Sequence, residues 1–209
     1  MDLSKSLNNY LEELSSNAPT PGGGNVAALS GVLACNLGIM VCNLTIGKKK
    51  YLEVEDEMKK VKTELENLSN CFIELGSKDN YAFDKVMEAF RLPKETEEEK
   101  KARSEKIEEA TYAAAVVPSE VIDTCKKTLE LLKTVAEKGN KNSVSDAGVA
   151  VSLISTSAQG AFLNVLINCS SLKNKTVGNE LLKRSEIICN EVEVGCKTLL
   201  DEVKKGLYN

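Results

Sequence analysis

The sequence predicts an all-α, single-domain helical bundle. Three observations carry this: apolar residues recur at three- and four-residue steps along most of the chain, no segment shows the strict alternation of a half-buried strand, and two long stretches carry no charge. Those stretches, Asn25 to Gly47 and Ala147 to Leu172, are expected to be the two long buried helices around which amphipathic helices pack. The 209 residues, 42% of them hydrophobic, suffice for one sizeable core, and no shift in composition marks a second domain, so residues 1–209 are read as one unit.

The elements follow in order. Leu3, Leu7, Tyr10, Leu11 and Leu14 form the apolar stripe of a first helix. Pro19, Pro21, Gly22, Gly23 and Gly24 then interrupt any regular structure, and Asn25 is a candidate N-cap for the first uncharged helix. Ala27, Ala28, Gly31, Ala34 and Gly38 on that helix would let a neighbour approach closely. Its length would also cross a bilayer, but Ser30, Asn36, Asn43 and Thr45 dilute it, and a buried bundle helix is the better reading. Lys48, Lys49 and Lys50 suit its C-terminal end.

A long amphipathic helix is expected from Tyr51 to Leu75, stopped by Gly76, and another from Asp79 to Leu92, ended by Pro93. Thr96 and Glu99 have capping-box spacing for a helix running to Val117, after which Pro118 and Ser119 restart the chain. Val121 to Lys138 is the next helix, closed by Gly139 and the polar loop Asn140 to Ser143. Ser145 or Asp146 is expected to cap the second uncharged helix. After a turn near Lys173 to Gly178, a last amphipathic helix reaches about Lys205.

Composition narrows the chemistry. A net charge of -4 without a clustered basic excess argues against a general nucleic-acid surface. Seven cysteines, an odd number with no C-x-x-C pair, read as reduced, mostly buried thiols; Cys35 and Cys42, like Cys189 and Cys196, share helix faces at a spacing of seven. Met1 to Asn17 lacks the basic start and apolar run of an export leader, so a cytoplasmic, non-membrane protein is expected. The absence of histidine removes the commonest zinc ligand and general base, so no metal site is expected and acid-base work falls to Asp, Glu, Lys, Tyr or Cys.

The most unusual run is Pro19-Thr20-Pro21-Gly22-Gly23-Gly24-Asn25. Three consecutive glycines are entropically costly, which points to something approaching that backbone closely. A ligand cradle at a helix N-terminus and a tight turn or dimer contact both satisfy that reading. A phosphate loop does not, because the Gly-Lys-Ser/Thr ending is missing.

The segments P-T-P-G-G-G-N-V-A-A-L at 19–29, M-V-C-N-L-T-I-G-K-K-K-Y at 40–51, D-N-Y-A-F-D-K-V-M-E-A-F-R-L-P-K at 79–94, G-N-K-N-S-V-S-D-A-G-V-A at 139–150 and G-A-F-L-N-V-L-I-N at 160–168 resemble the formiminotetrahydrofolate cyclodeaminase / methenyltetrahydrofolate cyclohydrolase family. The resemblance spans nearly the whole chain in order. It implies an all-helical homodimer with a folate cleft at or near the dimer interface. It also implies an enzyme acting at the one-carbon bridge of tetrahydrofolate, with no cofactor beyond that substrate. Either 5-formiminotetrahydrofolate is closed to 5,10-methenyltetrahydrofolate with loss of ammonia, or the methenyl bridge is opened by water to 10-formyltetrahydrofolate. The deaminase is favoured from sequence, and a non-catalytic helical binding protein is the reading from another class.

The resemblance implies catalytic roles for Asp79, Lys48 and Asp146, and substrate contacts from Pro21, Gly22, Gly23, Gly24, Asn25, Asn43, Lys50, Asn142, Ser145, Asn164 and Asn168. Each has a plainer alternative. Asp79 and Asp146 could cap helices. Lys48 to Lys50 could meet the folate glutamate tail, move a proton or simply be solvated at a helix end. Asn164 and Asn168, one turn apart, could bind a pterin edge or another helix.

Overall fold

The computed structural model describes residues 6–208. Six α-helices follow one another: α1 (Leu7–Leu14), α2 (Gly23–Thr45), α3 (Glu55–Phe90), α4 (Glu97–Lys138), α5 (Val144–Ser171) and α6 (Lys175–Tyr208), with single 3₁₀ segments at Lys49–Val54 and Lys141–Ser143. No strand occurs among the described residues. Helices α2, α3, α4 and α5 form a closed ring in which each packs on the next, and α6 lies along α4 and α5. The two uncharged stretches are α2 and α5, packed side by side as expected for the centre of a bundle. Leu3 lies outside the described residues.

Two predicted helix breaks are absent. Gly76 does not end a helix and Asp79 does not begin one: α3 runs through both for 36 residues. A glycine inside a helix costs about 1 kcal/mol, whereas the buried row of Phe72, Leu75, Gly76 and Ala82 keeps one face of α3 in the core without interruption. Pro118 likewise lies within the 42-residue α4. The ring of a proline removes the bond its own nitrogen would make to the carbonyl four residues back. That carbonyl, Ala114 O, instead accepts from Asn168 Nδ2 at 2.9 Å. Wholly buried Ala115, Ile122 and Cys125 hold the helix in the core on both sides of the proline.

Cap assignments shift as well. Gly22 is the N-cap of α2, so Asn25 sits three positions inside it, and Ser143 precedes α5, leaving Ser145 and Asp146 in its first turn. The expected capping box is present: Thr96 Oγ1 accepts from Glu99 N at 3.1 Å while the Glu99 carboxylate accepts from Thr96 N at 3.0 Å.

Small residues of α2 admit side chains from two neighbours. A Cβ on Gly31 would lie 2.5 Å from the Phe72 ring, and one on Gly38 would meet Leu132 and Leu65 at 2.8 and 2.9 Å. Phe72, Leu65 and Leu132 are fully buried as a result, each burial contributing about 1.5–3 kcal/mol. On α5, the Ser157 hydroxyl donates to Ala27 O at 2.7 Å and closes the α2/α5 seam.

Both α2 and α5 are long and apolar enough to cross a membrane by composition. Their inner faces are the core of the bundle. Their outer faces leave Leu33, Met40 and Leu44 of α2, and Val149, Leu163 and Ile167 of α5, more than a third exposed. Six of the cysteines are buried; burial pushes the thiols of Cys42 and Cys189 up to about 11 and those of Cys35 and Cys196 to about 12, which makes them packing residues and poor nucleophiles.

Candidate active site

A cleft of about 320 Å³ opens where the N-terminus of α2 meets the middle of α3 and the C-terminal half of α5. Pro19, Thr20, Gly22, Gly23 and Gly24 form one wall, Asp79, Phe83 and Val86 of α3 a second, and Ala114 with Asn164, Ile167 and Asn168 the rest. The glycines are required by contact. A Cβ on Gly24 would lie 2.2 Å from Asp79 Oδ1, and one on Gly23 would lie 3.6 Å from Asn164 Nδ2. The close approach inferred from the glycine run is thus made first by the protein's own carboxylate.

Among the described residues, Asp79 is the one charged side chain lining this cleft. Burial pushes its carboxyl above the ordinary aspartate range, partly offset by the hydrogen bond its carboxylate accepts from the Asn25 backbone N–H. A carboxylate in this state exchanges a proton closer to neutrality than an exposed aspartate does. As a mid-helix residue it does not cap a helix of its own; its carboxylate instead accepts from a first-turn N–H of α2.

Asn25 is a buried tie. Its Nδ2 donates to Gly76 O at 2.9 Å and to Asn80 Oδ1 at 3.3 Å, and its Oδ1 accepts from the Tyr10 hydroxyl at 3.0 Å. Its side chain is thereby committed to protein, and only its main chain faces Asp79. Asn164 Nδ2 donates to Gly160 O at 2.8 Å and Asn168 Nδ2 to Ala114 O. Each of these amides keeps one N–H and its carbonyl oxygen for a ligand.

The remaining candidates gather at the opposite end of the bundle. Gly24 and Thr45 are 21 residues apart on α2, about 32 Å at 1.5 Å per residue. Asp146 and Asn164, 18 residues apart on α5, are separated by about 27 Å on the same rise. There the chain turns at Gly47, with φ of 77°, and Lys48, Lys49 and Lys50 are exposed. Asn140 organises this end: its N–H donates to Thr45 Oγ1 at 2.8 Å, its Nδ2 to Leu44 O at 2.9 Å, and its Oδ1 accepts from Asn142 N at 3.0 Å. The Tyr51 hydroxyl accepts from Lys141 N at 3.0 Å. Asn43, Lys48, Lys50, Asn142, Ser145 and Asp146 therefore cluster with one another, and within one chain they do not reach the glycine cleft.

Sequence reasoning missed Pro19, Thr20, Phe83, Val86, Ala114 and Ile167 as lining residues, and Tyr10 and Asn80 as partners of Asn25, while Pro21, expected to contact substrate, does not line the cleft. Phe83 and Val86 could have been found once α3 is known to be unbroken, because they follow Asp79 at helical spacing on one face. Ala114 required knowing that Pro118 frees its carbonyl. No group of three or more Cys, Asp or Glu side chains suited to a metal ion occurs among the described residues.

Residues 6–187 match the family described as Formiminotransferase-cyclodeaminase. The chain is 43% identical over 200 residues, 96% of each chain, to a methenyltetrahydrofolate cyclohydrolase of Methylorubrum extorquens. It is 28% identical over 202 residues to a mouse formimidoyltransferase-cyclodeaminase, covering 97% of this chain but 37% of that larger protein. The crystal structure of formiminotetrahydrofolate cyclodeaminase from Thermotoga maritima superposes with a TM-score of 0.81 at 33% identity, over 95% of this chain and 97% of that one.

Proposed function

The chain belongs to the formiminotransferase-cyclodeaminase family, and from that premise we propose that this folate one-carbon enzyme is a methenyltetrahydrofolate cyclohydrolase. The observation that carries the reading is the cleft whose lone charged side chain among the described residues is the half-buried carboxylate of Asp79. Methenyltetrahydrofolate carries one positive charge, delocalised over the N5–C–N10 bridge. A site with one anion and no cation is complementary to it, and a low-dielectric wall strengthens that attraction.

The residues supply the steps as follows. Asp79 takes a proton from water as the water oxygen bonds to the bridge carbon, giving a neutral carbinolamine. The same group returns a proton to N5 as the N5–C bond breaks, while the carbinol oxygen loses its own proton and becomes the formyl group on N10. One water is consumed and one proton released. Thr20, Asn164 and Asn168 offer hydrogen bonds to the pterin edge, and Phe83, Val86 and Ile167 give it apolar walls. The absence of a side chain at Gly23 lets the ring approach the free N–H groups at the start of α2, while the space at Gly24 is filled by Asp79.

The sequence alone favoured the deaminase. End-to-end likeness at 43% to a cyclohydrolase moves the proposal to hydrolysis, while the Thermotoga likeness at 33% keeps deamination as the second reading. Both use a carboxylate near the bridge, with ammonia in place of hydroxide as the departing or entering group. We further propose a homodimer joined through the exposed apolar faces of α2 and α5, running antiparallel. That arrangement would bring the Lys48–Asp146 end of one copy against the glycine cleft of its partner.

Purified protein assayed with both substrates decides between the reactions. The expected result is rapid loss of methenyl absorbance above the spontaneous rate, with ammonia release from 5-formiminotetrahydrofolate at least tenfold slower. Faster deamination overturns the hydrolase assignment, and turnover of neither substrate overturns the enzyme reading of this cleft.

A further inference from the structure

α1 buries no side chain, yet one of its residues reaches the asparagine that lies behind the cleft and holds its carboxylate. The half-buried Tyr10 donates its hydroxyl to Asn25 Oδ1 at 3.0 Å. Asn25, 1% exposed, spends its Nδ2 on Gly76 O and Asn80 Oδ1. Gly76 and Asn80 are one turn apart on α3, with Asp79 between them on the same turn. The main chain of the same asparagine gives its N–H to the Asp79 carboxylate. The carboxylate sits in the space that a side chain at the neighbouring Gly24 would fill, since a Cβ there would lie 2.2 Å from Asp79 Oδ1. Asn25 therefore grips α3 with its side chain and the Asp79 carboxylate with its backbone, and Tyr10 supplies the donor that holds the remaining end of the amide, its Oδ1.

We propose that Tyr10 and Asn25 are positioning residues for Asp79, setting the carboxylate against the N-terminus of α2 at the distance the reaction needs. The inference rests on the reading of Asp79 as the proton-transferring group. Its physical basis is the amide's geometry. When the Tyr10 donor is lost, Nδ2 stays on the Gly76 carbonyl, which can only accept, and Oδ1 is left as a buried acceptor without a donor; the side chain then shifts toward another donor and moves the α2–α3 contact locally. Small displacements of a reacting group lower turnover without abolishing binding. The groups facing the carboxylate from the other helices are Asn25 and Gly24 of α2, Ala114 of α4, and Asn164 and Asn168 of α5, none charged. Lys78, beside it on α3, is directed to Glu120 at 3.9 Å. Position is therefore set by the hydrogen bonds named above and by no ion pair.

The test is a double-mutant cycle in the full-length protein, with methenyltetrahydrofolate as substrate. Tyr10→Phe keeps the ring and removes the donor. It is expected to lower kcat roughly three- to tenfold with KM changed by less than about twofold. In an Asp79→Asn background, measured at correspondingly higher enzyme concentration, Tyr10→Phe is expected to change kcat by less than about twofold, because a residue acting through Asp79 has nothing left to act on. Asn25→Ala should show the same dependence with a larger loss. Equal loss in both backgrounds, or no loss in the native one, overturns the proposal. If Asp79→Asn alone turns over at the native rate, the reading of Asp79 fails and the positioning role fails with it. If that variant is slow but Tyr10→Phe is indifferent to it, only the positioning role fails.

Discussion

The two ends of α2 present opposite solutions to the same problem of ending a helix. At the glycine end the chain has no side chains for three residues; the space at Gly24 is taken by the half-buried Asp79 carboxylate, and the amide of the next residue, Asn25, is bonded to Gly76, Asn80 and Tyr10. At the lysine end three cationic side chains stand in solvent, and the order resides in the hydrogen bonds that Asn140 donates to Thr45 Oγ1 and Leu44 O. A half-buried, singly charged group is held in one geometry and has its proton affinity altered. Exposed lysines keep their freedom and act through summed charge, screened within about 8 Å at physiological salt. The comparison teaches that chemistry belongs at the first end and that any role of the second is in binding.

The largest expected effect breaks the glycine end. Asp79→Asn preserves shape and can still accept from Asn25 N–H, so it should lower kcat by roughly 10²-fold or more. The acid limb of the native pH-rate profile, lying above the ordinary aspartate range because burial raises the Asp79 pKa, should vanish with it. Stability should move the other way. Folded Asp79 holds its proton more tightly than the unfolded chain does. Its contribution thus favours folding below the unfolded pKa and is lost as pH rises through the folded value. At pH 7 the native carboxylate is a cost, and Asp79→Asn is expected to have an equal or higher Tm, the difference shrinking toward acid. A variant that is fast, or slow only because it melts early, would reassign Asp79 to structure.

An intermediate effect tests whether the two ends meet through a second copy. Leu33 is 49% exposed near the middle of α2, distant from both the cleft and the lysines. Leu33→Glu should leave helicity unchanged by circular dichroism while placing a charge in the apolar face shared by α2 and α5. In the proposed dimer it halves the mass seen by light scattering and lowers kcat/KM by about an order of magnitude, equivalent to about 1.4 kcal/mol. A dimer that survives, or a monomer with full activity, separates the lysine end from the reaction.

Much of this was legible in the sequence, for physical reasons that also explain what was not. The fold class followed from the uncharged stretches and from helical periodicity, since burial selects composition directly. Gly22 to Gly24 and Asp79 were identified as candidates, and the structure brings them together. The helix breaks at Gly76 and Pro118 were wrong because local propensity costs only about 1 to 3 kcal/mol, and continuous burial along α3 and α4 outweighs it. The pairing of Pro118 with Asn168 through Ala114 O lies across 54 residues, and the Tyr10–Asn25 bond joins two helices across the glycine loop. No periodicity encodes such contacts. The distance between Asp79 and Asp146 was equally invisible, because it depends on the order in which helices run up and down the bundle.

The smallest expected effect concerns Asp146. It is half-buried in the first turn of α5, where an anion suits the positive end of the helix, and it sits with Asn142, Ser145 and the Lys48–Lys50 segment about 27 Å from Asn164 along that helix. No group at this distance can touch the reacting carbon held beside Asp79 in the same chain. In the proposed dimer the lysine end of the partner lies across the cleft, and Asp146 helps order the segment that meets the distal part of the substrate. Partly exposed charges contribute up to about 1 kcal/mol. Asp146→Asn is therefore expected to raise KM by about two- to fivefold with kcat unchanged. Combined with Leu33→Glu, it should add nothing, because the monomer has already lost the contact. A fall in kcat would place Asp146 in the chemistry itself, and an additive rise in KM in the monomer would show that the two ends serve one substrate without a partner.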